Sequence, residues 1–115
     1  MSMIGIAAAL SGAIAVAAGA FGAHGAAGPV EAEWLATGGL YQLIHAVAAL
    51  AVMRLSHGSA VTLLVGATIF SFSLYAMALG APRWLGAIAP VGGTLLIAGW
   101  ISIAWTFWKR RADPT

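Results

Sequence analysis

Four apolar runs separated by short polar breaks set the pattern of this chain: residues 3–23, 39–55, 60–80 and 84–108. Each falls within the roughly 17–25 residues that an α-helix, rising ~1.5 Å per residue, needs to cross the hydrocarbon core of a bilayer. The breaks carry the turn chemistry. Residues 25–39 hold Pro29, Glu31, Glu33 and Thr37; Ser56-His57-Gly58-Ser59 form a tight polar link; and Ala81-Pro82-Arg83 closes the third run, because proline cannot continue a helix. Short links between consecutive spans make neighbours antiparallel. The expected fold is therefore all-α, an integral membrane four-helix antiparallel bundle that uses residues 1–115 as one transmembrane domain. A cleaved leader fits the first run less well, since no basic residue precedes it and it exceeds the usual ~7–15-residue apolar core.

Inside the runs, the spacing of small and polar residues predicts faces. In the first, Gly5, Ala8, Gly12, Ala15, Gly19 and Gly22 alternate at three- and four-residue intervals. They form a seam that admits a neighbouring backbone, while Ile4, Leu10 and Val16 are expected off it. In the second, Gly38, Gln42, His45, Ala49 and Val52 share one face at ~100° per residue, with Tyr41 at its edge. That face must meet protein, since an unpartnered amide or imidazole in hydrocarbon costs several kcal/mol. Pro90 within the fourth run removes the donor to the Gly86 carbonyl and predicts a kink beside Gly92 and Gly93. Pro29, with acidic residues just after it, predicts a short interfacial helix over residues 29–36 with Trp34 at headgroup level.

Composition then fixes the solvent. The 115 residues are 62% hydrophobic and 7% charged, with mean hydropathy +0.97, and no Asp, Glu, Lys or Arg precedes Glu31. A soluble domain carries about 25% charged residues. No stretch is left for a soluble catalytic domain, and the lack of cysteine excludes disulfides and thiolate chemistry. The basic tail Lys109-Arg110-Arg111 reads as a topology signal, not as a nucleic-acid patch. With four spans, Arg54 and the tail share one side and Arg83 stands alone on the other, so both termini are expected in the cytoplasm.

Threaded by length, His45 is expected in the outer half of the bundle, with Ser73 and Tyr75 at similar depth and His24 nearer the surface. Two readings of this polar set stand side by side. In the first, Gln42, His45, Ser71, Ser73 and Tyr75 are interhelical glue. In the second, His45, Gln42, Tyr41, His24, Ser73 and Tyr75 line a small-ligand or permeation site for a haem, a quinone or a metal. Two histidines without cysteine or carboxylate neighbours are a poor metal set, and no cofactor is specified by the residues. No span carries a mid-membrane charge of the kind ion-coupled transporters use. Ser71 and Ser73 have no evident base, so no enzyme is expected.

Four motifs in order carry a resemblance. Ala20-Phe-Gly-Ala-His-Gly25, Tyr41-Gln42-x-x-His45-Ala, Phe70-Ser-x-Ser-Leu-Tyr75 and Leu85-Gly-Ala-Ile-Ala-Pro-Val-Gly-Gly93, followed by Ala98-Gly-Trp100, resemble the "domain of unknown function 423" family of small membrane proteins. The resemblance implies a four-span inner-membrane protein and no particular activity. Phe72 departs from it, standing where a small residue of a Ser-Gly-Ser-type motif is expected. The expectation is a structural or accessory subunit, partnered by the bilayer and by a second copy or a larger membrane complex, with a ligand-binding protein as the alternative.

Overall fold

A computed structural model describes residues 2–111 of the chain. Four long helices account for most of them: α1 (Ser2–His24), α2 (Pro29–Val52), α3 (His57–Ala78) and α4 (Ala89–Arg111), with a 3-10 turn, Arg83–Ala87, leading into α4. All four segments are long and apolar enough to cross a membrane. Their ends follow from local chemistry. Gly28 precedes Pro29 in the first turn of α2, and the Ser56 hydroxyl accepts the Ser59 N–H at 3.2 Å to cap α3. At the other end of α3, Gly80 takes φ +106°, Ala81 N–H reaches Ala76 O and Gly80 N–H reaches Met77 O. This is a Schellman cap, and it lets the chain turn into Pro82.

The helices stand in chain order. α1 packs on α2, α2 on α3 and α3 on α4, with a smaller contact between α1 and α3. This makes α2 and α3 the inner pair and leaves α1 and α4 at the flanks of an open row. One end of the row gathers the α1 start near Met53, since a Cβ on Gly5 would lie 3.8 Å from the Met53 methyl. The opposite end holds Arg83 over the Trp34 ring at 5.3 Å. Arg111 over Trp108 at 4.0 Å and Lys109 over Trp105 at 5.9 Å place the basic tail of α4 among rings suited to a membrane–water boundary.

Several expectations need correction. Residues 29–36 are not a separate interfacial helix: they are the first turns of α2, which runs unbroken from Pro29. Pro90 kinks nothing, because α4 begins at Ala89 and a proline in the first turn removes an N–H that has no intrahelical partner anyway. The face of α1 that meets α2 is Ile4, Ala8, Ser11, Ala15 and Gly22, with Gly5, Gly12 and Gly19 only half-buried beside it. Ile4 is therefore core and not lipid-facing; it joins Ala8, Ala49 and Ala60 in one cluster. The buried face keeps Ala8, Ala15 and Gly22 of the expected seam and takes Ile4 and Ser11 in place of Gly5 and Gly12.

The closest helix contacts also fall at particular glycines. A Cβ on Gly39 would lie 3.0 Å from Ala15 O, one on Gly22 2.9 Å from Leu35 Cβ, and one on Gly92 2.7 Å from Gly66 O. By contrast a Cβ on Gly12 would make ordinary contact with Ala46 at 3.9 Å, and at Gly19 or Gly93 it would meet nothing within 4 Å. Of the packing residues expected from sequence, Gly22 and Gly92 are at crossings where a Cβ would collide, and the Gly19 backbone lies against Gly39, although a Cβ on Gly12, Gly19 or Gly93 would itself find room. Phe72 does not interfere: it is exposed and lays its ring against Tyr75 at 5.5 Å between centroids. The tight contacts of α3 are made by its neighbours Phe70 and Ser71.

Candidate functional site: a polar ladder across the inner helices

Gln42 lies at the centre of the first polar group. It is 1% exposed, and both ends of its amide are used: Nε2 donates to Ser11 Oγ of α1 at 3.1 Å, and Oε1 accepts from Tyr75 OH of α3 at 2.6 Å. One side chain thus ties three helices. Gly38, one turn earlier, lets this happen, since a Cβ there would stand 2.6 Å from the Tyr75 ring. Ser71 seals the same crossing by donating to Gly38 O at 2.7 Å.

His45 forms the second group, with different partners from those expected. Its Nδ1 sits 2.6 Å from Tyr41 O, one turn back on the same helix, and its Nε2 sits 3.0 Å from Trp100 Nε1 of α4. An indole nitrogen only donates, so Nε2 must be the acceptor and Nδ1 must carry the hydrogen given to the carbonyl. The imidazole is a neutral, fixed tautomer. It is 5% exposed and is framed by aromatic rings: Tyr41 stacks on it at 6.1 Å, and Trp100 meets it edge-on at 5.9 Å. Tyr41 also leans on Phe70 at 4.7 Å.

Depth is read from neighbours. Gly12, midway along α1, faces Ala46, so His45 beside it lies midway along the bundle and not in its outer half. The short second run seen in sequence hides the nearly three extra turns that α2 gains from Pro29. Ser73 leaves the cluster altogether, donating to Ile69 O of its own helix at 2.6 Å. His24 is exposed at the end of α1. Half a helix length separates it from His45.

Four bonding residues are not among the site candidates named from sequence. Ser11 is the one polar residue within residues 3–23, which is itself a signal that a partner exists. Trp100 occupies the middle of a span, whereas tryptophan favours the boundary, so its N–H needed an acceptor. Ser59 and Ser102 join α3 to α4 at 2.6 Å, and their separation in sequence gives no hint of it. Among the described residues no buried side-chain nitrogen or oxygen lacks a hydrogen-bond partner, and no three metal-ligating side chains converge.

Comparison with known proteins agrees with this architecture. The sequence matches the family described as "Protein of unknown function (DUF423)" over residues 18–93. The chain belongs to the DUF423 family. The matched region runs from the end of α1 through the Gly92–Gly93 pair, and so contains Gln42, His45, Ser71 and Tyr75. A UPF0382 membrane protein of Haemophilus influenzae is 41% identical over 114 residues, covering 90% of this chain and 92% of its own. The UPF0382 inner membrane protein YgdD of Escherichia coli is 43% identical over 104 residues, covering 81% and 79%. A UPF0382 membrane protein of Staphylococcus saprophyticus is 37% identical over 105 residues, covering 83% and 88%. No solved structure matches the chain. The protein is thus a membrane-embedded helical bundle of the DUF423 family, a family without an established activity.

Proposed function

We propose that this protein is a non-enzymatic structural or accessory subunit of the bacterial inner membrane, which packs against a second copy or a larger membrane complex. The observation that carries the reading is that, of the buried polar side chains, Ser11, Gln42, His45, Ser59 and Ser71 bond across helices, while Ser73 bonds its own helix. Both ends of the Gln42 amide are held, by Ser11 and Tyr75, and both nitrogens of His45 are engaged. Ser71 and Ser73 donate to main-chain carbonyls and not to a base, an arrangement that supports the non-catalytic reading. The flanking helices α1 and α4 supply the outward surface. Leu10, Val16, Ile97, Ile101 and Trp105 are all exposed on them.

Orientation belongs to the same proposal. Arg54 and the tail Lys109-Arg110-Arg111 lie at one end of the row and Arg83 at the other, which by the positive-inside tendency puts both termini in the cytoplasm. Extraction of native membranes in mild detergent tests the assembly. The expected result is an oligomer or a reproducible co-purifying membrane protein. A monodisperse single copy after gentle crosslinking in the membrane would contradict it.

A further inference from the structure

Of the hydrogen bonds that join the helices, the one between Trp100 and His45 borders a cavity. A cleft of about 460 Å³ opens between α2 and α4, lined by Tyr41, His45, Phe70, Gly93, Thr94 and Trp100 among others. Its mouth faces the surroundings of the bundle at mid-length, where Tyr41 is 41% and Trp100 46% exposed. Anything that enters must come through the hydrocarbon. In the Gln42 group, in contrast, the amide itself is fully buried.

We propose that this cleft is a lateral binding site for a membrane-dissolved aromatic alcohol, a lipid of the phenol or quinol class, whose hydroxyl inserts between Trp100 and His45. The chemistry follows from the fixed tautomer. Trp100 offers an N–H and His45 Nε2 offers a lone pair, 3.0 Å apart and aimed at each other. A hydroxyl is the small neutral group that can answer both, accepting from the indole and donating to the imidazole. Insertion replaces one hydrogen bond by two and leaves no group unpaired. A carbonyl or an ether cannot do this, because it would leave the Nε2 lone pair facing an acceptor. A charged headgroup is excluded as well, since no ionisable side chain other than the neutral His45 and the phenol of Tyr41 lines the cleft. The rings of Tyr41, Phe70 and Trp100 supply faces and edges on which an aromatic ring stacks, and so select a ring over an acyl chain. Nδ1 stays bound to Tyr41 O throughout, so the imidazole keeps its orientation while the half-exposed indole swings aside.

The test uses the indole N–H itself. The protein is prepared in micelles with nitrogen-15 tryptophan, and the Trp100 resonance is assigned by its loss in Trp100→Phe. It is then titrated with 4-decylphenol, with 4-decylanisole, which differs by a methyl on the oxygen, and with tetradecanol, which keeps a hydroxyl without a ring. The phenol should shift the Trp100 resonance saturably. The anisole should need about tenfold more ligand or fail to saturate, as loss of one hydrogen bond in a dry site implies, and tetradecanol should bind more weakly than the phenol. Gly93→Leu supplies the control that keeps the fold, because a Cβ there meets nothing within 4 Å and Gly93 lines the cleft that the longer side chain would fill. It should abolish the phenol response while leaving the resonance in place. An equal response to phenol and anisole would mean a nonspecific acyl-chain groove, and no saturable shift with the phenol, or an undiminished one in Gly93→Leu, would equally overturn the proposal.

Discussion

Replacing Gly92 by alanine adds one methyl at the tightest crossing in the molecule. The new Cβ would collide first with Phe70 N and then lie 2.7 Å from Gly66 O and 2.9 Å from Phe70 Cα, all backbone atoms of α3 that have no rotamer to change. Since ordinary carbon contacts begin near 3.4 Å, α4 would have to retreat from α3 by about 1 Å, and dispersion contact along the whole seam weakens with it. Gly66 and Gly99 sit on the same interface, a Cβ on either being 3.0 Å or less from its neighbour, so the helices cannot simply rotate to make room. Overpacking of this kind costs about 1–3 kcal/mol. Gly93, the next residue, is the matched control, because an added methyl there meets open space and helix propensity favours alanine over glycine by ~1 kcal/mol. Denaturation in mixed micelles, followed by loss of helical circular dichroism, should show Gly92→Ala destabilised by about 1–3 kcal/mol and Gly93→Ala unchanged or slightly stabilised. Equal stabilities for the two variants would refute the close α3–α4 crossing.

Three further outcomes follow from the same geometry. Gly39→Ala, which brings a methyl to 3.0 Å from Ala15 O, should lower folded yield in detergent, whereas Gly19→Ala should match wild type because a Cβ there meets nothing within 4 Å. His45→Gln should be tolerated, since an amide can still donate to Tyr41 O and accept from Trp100, while His45→Leu strands the indole N–H and should cost roughly 1 kcal/mol in the same unfolding assay; Gln failing as badly as Leu would favour ligation or proton transfer over glue. Reporter fusions after Arg111 should be active only with the cytoplasmic reporter, and periplasmic activity would invert the topology.

The layout of this fold was legible wherever periodicity and breaking residues coincide. The face of α2 carrying Gly38, Gln42, His45 and Ala49 is buried as its spacing requires, because a hydrocarbon solvent allows a polar face no other place to go. The start of α2 was hidden because Glu31 and Glu33 look like loop residues, although at a helix N-terminus beyond the hydrocarbon they suit both solvent and dipole. Partners across helices were less legible. Tyr75 reaches Gln42 as the residues suggest, but His45 bonds Trp100 and its own helix, since register and rotation between α2 and α4 are set by glycines whose roles differ with the space opposite each. Gly92 and Gly93 are indistinguishable in sequence and opposite in consequence. Ser73 likewise shares a motif with Ser71, yet only Ser71 faces another helix.

The claim at the centre of this account is that the buried polar groups hold the helices together, and the Gln42–Tyr75 pair isolates it best. The bond is 2.6 Å long, one partner is 1% exposed, and Tyr75→Phe removes nothing but the hydroxyl. A double-mutant cycle with Gln42→Leu and Tyr75→Phe, measured by unfolding in mixed micelles, should give a coupling of about 1 kcal/mol, toward the upper part of what interhelical hydrogen bonds contribute in membranes. Strict additivity of the two substitutions would contradict the account.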